Sequence, residues 1–277
     1  MKGVIVAAGY GTRFLPVTKT IPKEMLPLIN IPSIDFIIEE FIKSGIKDII
    51  IITSRRKKVL EDYLDREVEL ESVFTSQGAE AKLAKIKPFD ANFTFVRQRE
   101  MRGTGHAMLQ VRPFIGNEPF IVAYPDDIVF SEKPLTLQLI ETYTKTGCSV
   151  LATIHDPPNI NRYGVLDLQD DNLHVKSLVE KPDAGKEPSK EASIGRYLYT
   201  PELLDLLAEG WKKHTSGEYY PTDALQKLMD QNKIVYKRLD GRRLDTGEPG
   251  GYLRALIAYA KEVPEYRKIL EEELAGE

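Results

Sequence analysis

With one cysteine in 277 residues, the chain has neither an intramolecular disulfide nor a paired-cysteine metal site. That residue lies in the apolar run Cys148-Ser149-Val150-Leu151-Ala152, where it reads as strand packing. No apolar stretch is long enough to span a bilayer, and Met1-Lys2-Gly3 leads into a core strand without a signal-peptide pattern. A cytoplasmic protein is expected, with no membrane partner. The net charge of −4 and pI of ≈ 5.8 lack the basic excess of a general nucleic-acid or membrane-surface binder. Any phosphate recognition is therefore local, and the expected partner is a small molecule. Four scattered histidines have no metal-ligand spacing, and no nucleophile elbow occurs, so covalent catalysis has no support. Internal repeats and low-complexity linkers are also missing, which favours one continuous unit over residues 1–277.

The most informative segment present is the opening. Lys2-Gly3-Val4-Ile5-Val6-Ala7-Ala8 is a short apolar run that breaks into Gly9-Tyr10-Gly11-Thr12-Arg13, followed by Pro22-Lys23-Glu24-Met25-Leu26-Pro27. A buried strand feeding an anion-binding loop has this form, because residues without a Cβ let several backbone N–H groups converge on one oxygen cluster. Arg13 adds a planar fork and Lys23 a mobile point charge, a pair suited to a polyphosphate. Thr12, Arg13 and Phe14 follow Gly11 where a dinucleotide fingerprint needs a third glycine, and no Gly-Lys-Ser/Thr supplies a Walker loop.

Strand-like and helix-like stretches alternate through the first half: Val4 to Ala8, an amphipathic Ser33 to Ser44, then Asp48 to Thr53. That order predicts βαβ units and a mainly parallel sheet buried on both faces. Further strands are expected over Phe93 to Val96, Phe120 to Tyr124 and Ser149 to Ile154, with helical decoration between Glu61 and Lys87. From Tyr163 to Tyr199 shorter β runs suggest a second sheet region over a ligand cleft, and Glu248 through Leu274 reads as a charged helix.

Tyr124-Pro125-Asp126-Asp127 places carboxylates at the C-terminal end of a strand, where open α/β sheets bind ligands. Asp126 is a candidate magnesium ligand, since that ion takes one or two carboxylates and fills its other positions with phosphate oxygens and water. Asp245, in Arg243-Leu244-Asp245-Thr246-Gly247, suits the second carboxylate. Asp127 has two readings, a turn cap or a site residue. Glu180 and Lys181, in Val179-Glu180-Lys181-Pro182, either reach one ligand together or form an exposed ion-pairing surface. His106, in Gly103-Thr104-Gly105-His106-Ala107, reads as structural or binding rather than as a general base.

In order along nearly the whole chain, these blocks resemble the bacterial UTP-glucose-1-phosphate uridylyltransferases, within the sugar-1-phosphate nucleotidyltransferase family. The matching segments are Ala8 to Pro16, Pro22 to Pro27, Val96 to Gln98, Gly103 to Ala107, Pro125 to Asp127, Val179 to Pro182, Ile194 to Tyr197 and Thr222 to Leu225. The resemblance implies an α/β/α sandwich with a mixed, mainly parallel Rossmann-like sheet, a smaller β region and a C-terminal helix. It further implies a nucleotide half (1–160), a sugar-phosphate half (161–247) and a helical segment (248–277). By resemblance, Ala8, Gly9, Gly11 and Thr12 approach the nucleotide, while Arg13 and Lys23 hold the triphosphate. Gln98 and Gly103 face the base, Asp126 and Asp245 hold Mg2+, Gly164 and Glu180 contact the sugar, and Lys181 positions the sugar phosphate. UTP and glucose 1-phosphate are the implied substrates, and a homo-oligomer is the implied assembly.

Two segments depart from the usual uridylyltransferase form. Leu244-Asp245-Thr246-Gly247 is nearer the thymidylyltransferase branch than Tyr-Asp-Cys-Gly, and Glu218-Tyr219-Tyr220-Pro221-Thr222-Asp223 differs from Glu-Ile-Gln-Leu-Thr-Asp. The alternatives are the same reaction on dTTP or another sugar 1-phosphate, and a catalytically silent nucleotide-sugar sensor.

Overall fold

A computed structural model describes residues 1–276. Its strands, in chain order, are β1 (Lys2–Val6), β2 (Pro27–Leu28), β3 (Ile31–Pro32), β4 (Asp48–Thr53), β5 (Asn92–Arg97), β6 (Phe120–Ala123) and β7 (Asp127–Phe130). These continue as β8 (Ser149–His155), β9 (Gly164–Leu168), β10 (Val175–Glu180), β11 (Glu191–Tyr199), β12 (Ile234–Arg238) and β13 (Arg242–Asp245).

The central sheet has nine strands among the described residues, and β1, β4, β5 and β6 form its parallel part. β11 runs antiparallel beside β6 and against β8, whose other neighbour, β12, is parallel to it. The pairing of β11 with β8 shifts register between Ser193 and Tyr197. On its other edge the C-terminal part pairs with β6, while Ala192 pairs with β9. β11 thereby joins the β9–β10 hairpin to the parallel sheet. The expected second sheet region is an extension of the first, reached through one long strand.

Alternation along the strands produces the layers. Val4, Ile50, Ile52, Phe120 and Val122 pack on one face with helices Thr104–Leu109, Glu202–Trp211 and Thr222–Met229. Ile5, Ile49, Ile51, Ile121 and Ala123 pack on the other with helices Ser33–Lys43, Lys58–Leu64 and Leu135–Thr146. Successive side chains of a strand point to opposite faces, so a strand covered on both sides is apolar throughout. In helix Ser33–Lys43 the buried Ile34, Ile37, Ile38 and Phe41 recur at the spacing of one helical stripe.

Two short antiparallel ribbons, β2–β3 and β7–β13, lie outside the main sheet. Ile128 and Leu244 from the second ribbon pack with Leu28, Ala255 and Ala258. The C-terminal segment differs from the single helix expected. It forms helices Pro249–Glu262 and Pro264–Ala275, separated by Val263 in an extended conformation. Pro264 causes the break, because its ring disfavours a helical conformation at the residue before it.

Candidate active site

The glycine loop leaves β1 at Val6, and Ala7 keeps one more backbone bond, to Ile52. Gly11 has φ 68° and ψ 32°, a left-handed conformation that an L side chain adopts only with strain. Its carbonyl accepts the Thr18 hydroxyl at 2.7 Å and the Phe14 N–H at 3.0 Å, which closes the turn. Nothing lies within 4 Å of where a Cβ of Gly9 would stand, so that backbone faces open space. Thr12 and Arg13 are exposed, Ala8 is buried, and Arg13 reaches the carbonyl of Gly247 at 3.4 Å. A loop near the N-terminus is thus tied to one near residue 247.

Lys23 and Asp126 meet. The ammonium donates to Asp126 Oδ2 at 2.6 Å, with side chains 19 % and 24 % exposed. Burial opposes charge on Lys23, but Asp126, Glu24 and Asp127 raise its pKa overall. Burial likewise opposes ionisation of Asp126, and the Lys23 ammonium outweighs it, holding the carboxyl below its ordinary range. Behind them Lys57 donates to Glu24 at 2.5 Å in a pair closed to solvent. Burial lowers the Lys57 pKa despite that partner.

Asp126 and Asp245 also converge, with Gly247 between them. A Cβ on Gly247 would stand 2.9 Å from Asp126 Oδ2, 3.1 Å from Asp245 Oδ1 and 3.5 Å from an Arg13 nitrogen. The Gly247 N–H donates to Asp245 Oδ1 at 2.9 Å, and the Thr246 N–H and hydroxyl donate to the Asp126 carbonyl at 2.8 and 3.1 Å. Among the described residues no cluster of three or more His, Cys, Asp or Glu side chains could hold a metal. Two carboxylate donors flanking a side-chain-free position fit magnesium, whose remaining ligands are phosphate oxygens and water.

Asp127 lies beside Asp126, and both of its carboxylate oxygens are held by protein groups. Its Oδ2 accepts the Gly195 N–H at 2.5 Å, and its Oδ1 accepts from Arg243 Nε. Burial raises its pKa, and the Arg243 guanidinium works against that rise.

Gln98 is buried and donates to the Gly103 carbonyl at 3.2 Å, so the two residues expected at the base are adjacent. His106 stands behind them. Its Nδ1 is 3.1 Å from Gln98 Nε2, and its ring centre lies 4.8 Å from that of Trp211 with the planes tilted by 39°. Burial and then the Arg102 charge lower its pKa, which favours the neutral imidazole. Gly103 has φ +89°, and a Cβ there would stand 2.6 Å from the Tyr219 carbonyl oxygen. Tyr219 therefore backs this part of the site, and its phenol donates to the Leu207 carbonyl at 2.8 Å.

Gly164 and Glu180 are register partners across the β9–β10 hairpin, and a Cβ on Gly164 would lie 3.0 Å from Glu180 Oε2. Lys181 follows with φ 47°, which breaks strand alternation, and its ammonium lies 3.8 Å from Glu180 Oε1. Both side chains are mostly exposed. The backbone of Lys181 is held by the Tyr163 carbonyl at 3.0 Å, and the Tyr163 hydroxyl accepts from Arg243 Nη1 at 3.1 Å.

The candidate residues thus fall into three groups, two of which are linked through Arg243 and Tyr163. A profile of the nucleotidyl transferase family matches residues 2–262. The chain belongs to that family. The UTP–glucose-1-phosphate uridylyltransferase of Staphylococcus haemolyticus is 42 % identical over 272 residues, covering 96 % of this chain and 94 % of that protein. A solved UDP-glucose pyrophosphorylase complexed with UDP-glucose superposes with TM-score 0.80 at 36 % identity, covering 95 % of this chain and 99 % of that one. A UTP-bound UGPase from Acinetobacter baumannii gives TM-score 0.89 at 30 % identity, covering 99 % and 98 %.

The sequence alone assigns no individual role to Arg243, Tyr163, Tyr219, Lys57 or the buried Arg196–Glu40 pair of this nucleotidyl transferase. Signals existed for two of them. Arg243 stands two residues before Asp245, hence on the same face of a strand, and Lys57 belongs to the cationic run Arg55-Arg56-Lys57-Lys58 directly after an apolar strand.

Proposed function

We propose that this nucleotidyl transferase forms UDP-glucose and pyrophosphate from UTP and glucose 1-phosphate. The observation that carries the reading is the junction of Lys23, Asp126, Asp245 and Arg13 around Gly247. This junction suits a triphosphate and a divalent ion, and the relatives named above carry this activity or these ligands.

An oxygen of the sugar phosphate attacks the α-phosphorus of UTP, the bond from that phosphorus to the bridging oxygen breaks, and pyrophosphate departs. Both reactants are anions, so catalysis comes from positioning and charge neutralisation. The backbone of Ala8, Gly9, Gly11 and Thr12 cradles the triphosphate, and Arg13 and Lys23 stabilise charge growing on the leaving pyrophosphate. Gln98 and Gly103 hold the base. Gly164 leaves room for the sugar beside Glu180, and Lys181 holds the sugar phosphate in line. Asp126 and Asp245 would hold Mg2+, which supplies further neutralisation of phosphate charge.

The departures from the uridylyltransferase form divide by location. Leu244 is buried against Ile128, and Thr246 hydrogen-bonds to the Asp126 carbonyl, so that segment belongs to the carboxylate side. Tyr219 contacts Gly103 and belongs to the base side, where one methyl changes discrimination by about 1–3 kcal/mol. Use of dTTP is accordingly the second reading. Among the described residues no helix is long and apolar enough to cross a membrane. A cytoplasmic location and a homo-oligomer joined through the C-terminal helices, where Leu253, Ile257 and Ile269 are exposed, belong to the same proposal.

Pyrophosphate release measured over four nucleoside triphosphates, each with several sugar 1-phosphates, tests the reading. The highest kcat/KM is expected for UTP with glucose 1-phosphate. No turnover with that pair sinks it, and binding of UDP-glucose without magnesium-dependent turnover indicates a sensor instead.

A further inference from the structure

Asp127 and Asp245 face each other directly across the β7–β13 ribbon, a placement in which like charges repel. Arg243, two residues before Asp245, shares their face of the ribbon, while Leu244 between them turns into the apolar cluster with Ile128. The Arg243 guanidinium uses all three of its nitrogens. Nε donates to Asp127 Oδ1, Nη2 to Asp245 Oδ2 at 3.2 Å and Nη1 to the Tyr163 hydroxyl at 3.1 Å. Its carbon also lies 5.3 Å from the centre of the Tyr163 ring, and its side chain is only 12 % exposed. Tyr163 in turn precedes Gly164 and holds the backbone of Lys181.

We propose that Arg243 is a positioning residue that joins the two halves of the site: one fork holds Asp245 for the divalent ion and another holds Tyr163, and through it Lys181, for the sugar phosphate. This inference rests on the function proposed above. A planar guanidinium donates in several fixed directions from one rigid group, whereas an ammonium offers a point charge at the end of a flexible chain. Neutralising two opposed carboxylates requires only a cation, but holding a carboxylate, a buried aspartate and a phenol at once requires the fork. Asp127 serves as its anchor, since the other Asp127 oxygen is fixed by the Gly195 N–H.

The test compares R243K and Y163F with the unaltered full chain by steady-state pyrophosphate release and by Mn2+ titration with UDP-glucose present, followed as the free-ion EPR signal. R243K should weaken Mn2+ binding about tenfold and raise the KM for glucose 1-phosphate about tenfold, with the KM for UTP changed less than about twofold at saturating metal. Y163F should raise only the KM for glucose 1-phosphate, by about threefold, and R243K/Y163F should add nothing to R243K on that parameter. R243K with unaltered Mn2+ binding and glucose 1-phosphate KM overturns the proposal, as does an equal rise in both substrate KM values. If R243K does not fold, Y163F decides: an unaltered KM for glucose 1-phosphate rejects the coupling. Failure of the unaltered chain to turn over UTP with glucose 1-phosphate strikes the functional reading instead, and Mn2+ binding by R243K then still tests the hold on Asp245.

Discussion

Arg196 and Glu40 form a bidentate ion pair inside the protein, with bonds of 3.0 Å from Nε to Oε1 and 2.9 Å from Nη2 to Oε2 and side chains 0 % and 8 % exposed. It crosses from β11 to helix Ser33–Lys43. The pair has further partners: Arg196 Nη2 donates to the Asp127 carbonyl at 3.2 Å, and Glu40 Oε1 accepts the Thr136 N–H at 2.9 Å. It therefore sets the height of the aspartate turn above the sheet.

Removing one member of this pair strands a buried charge without its partner. Arg196→Met or Glu40→Leu alone should cost about 3–5 kcal/mol, whereas Arg196→Met/Glu40→Leu together should cost less than the sum of the two. Urea denaturation of the three variants measures this. Strict additivity would show that the pair acts as two independent side chains.

Asp126→Asn keeps the shape of the side chain and an acceptor for Lys23, but removes the charge between the ammonium and Asp245. Turnover should fall by on the order of 10² or more. The fold should stay intact with a modest loss of thermal stability, because Lys23 keeps a hydrogen-bond acceptor but loses the carboxylate charge that favours its own. Assays at limiting magnesium provide the check, and near-normal turnover there would reject a metal role for Asp126.

Gly103→Ala introduces a Cβ that would stand 2.6 Å from the Tyr219 carbonyl oxygen and 2.8 Å from its nitrogen, at a φ of +89°. Backbone is met rather than a flexible side-chain end, so the turn or the Tyr219 segment must shift, which disturbs the hydrogen bond from Gln98 to the Gly103 carbonyl. The expected result is about a tenfold rise in the KM for UTP with the KM for glucose 1-phosphate nearly unchanged, besides about 1–3 kcal/mol of lost stability. Initial rates with each substrate varied separately distinguish the two parameters.

Asp35 carries a pH dependence of opposite sign to that of a salt-bridged carboxylate. Burial raises its pKa from 3.8 to about 6, against the hydrogen bond from Tyr63, and its Oδ1 is a buried atom without a partner. The folded protein therefore binds a proton that the unfolded chain releases between pH 3.8 and about 6. This contribution to stability is fully present below pH 3.8 and is lost as the pH rises through about 6. Asp35→Asn should stabilise the protein by about 1–2 kcal/mol at pH 7.5, a gain that disappears toward pH 4. Denaturant midpoints of both proteins across that range measure it, and a gain independent of pH would exclude the titration of Asp35 as its source.

The glycine loop, Lys23, Asp126, Asp245 and the parallel β1–β4–β5 unit were legible because each is written in adjacent residues: an apolar run, a turn, a charge at the end of a strand. Short ribbons were not. Four residues, as in β7 and β13, are too few for a periodicity to register, so the sequence does not show that Asp127 and Asp245 face each other. The single C-terminal helix expected over 248–274 overlooked the restriction that Pro264 places on Val263. Tyr219 acts through its backbone, and a side-chain pattern carries no record of that contact.

Local chemistry therefore settles which residue types this nucleotidyl transferase offers at the proposed phosphate, base and sugar positions, since glycine freedom, fixed cationic charge and hard carboxylate oxygens are properties of the residues themselves. Their assembly is a property of register. Asp127 meets Asp245, and Arg243 lies between them and Tyr163, only because Ile128 and Leu244 bury the opposite face of the ribbon against the C-terminal helix. A slip of β13 by one residue would turn Arg243 and Asp245 to the apolar side. That register is held by contacts between segments more than a hundred residues apart, such as the 116-residue span between Asp127 and Arg243, and no window of sequence contains both ends.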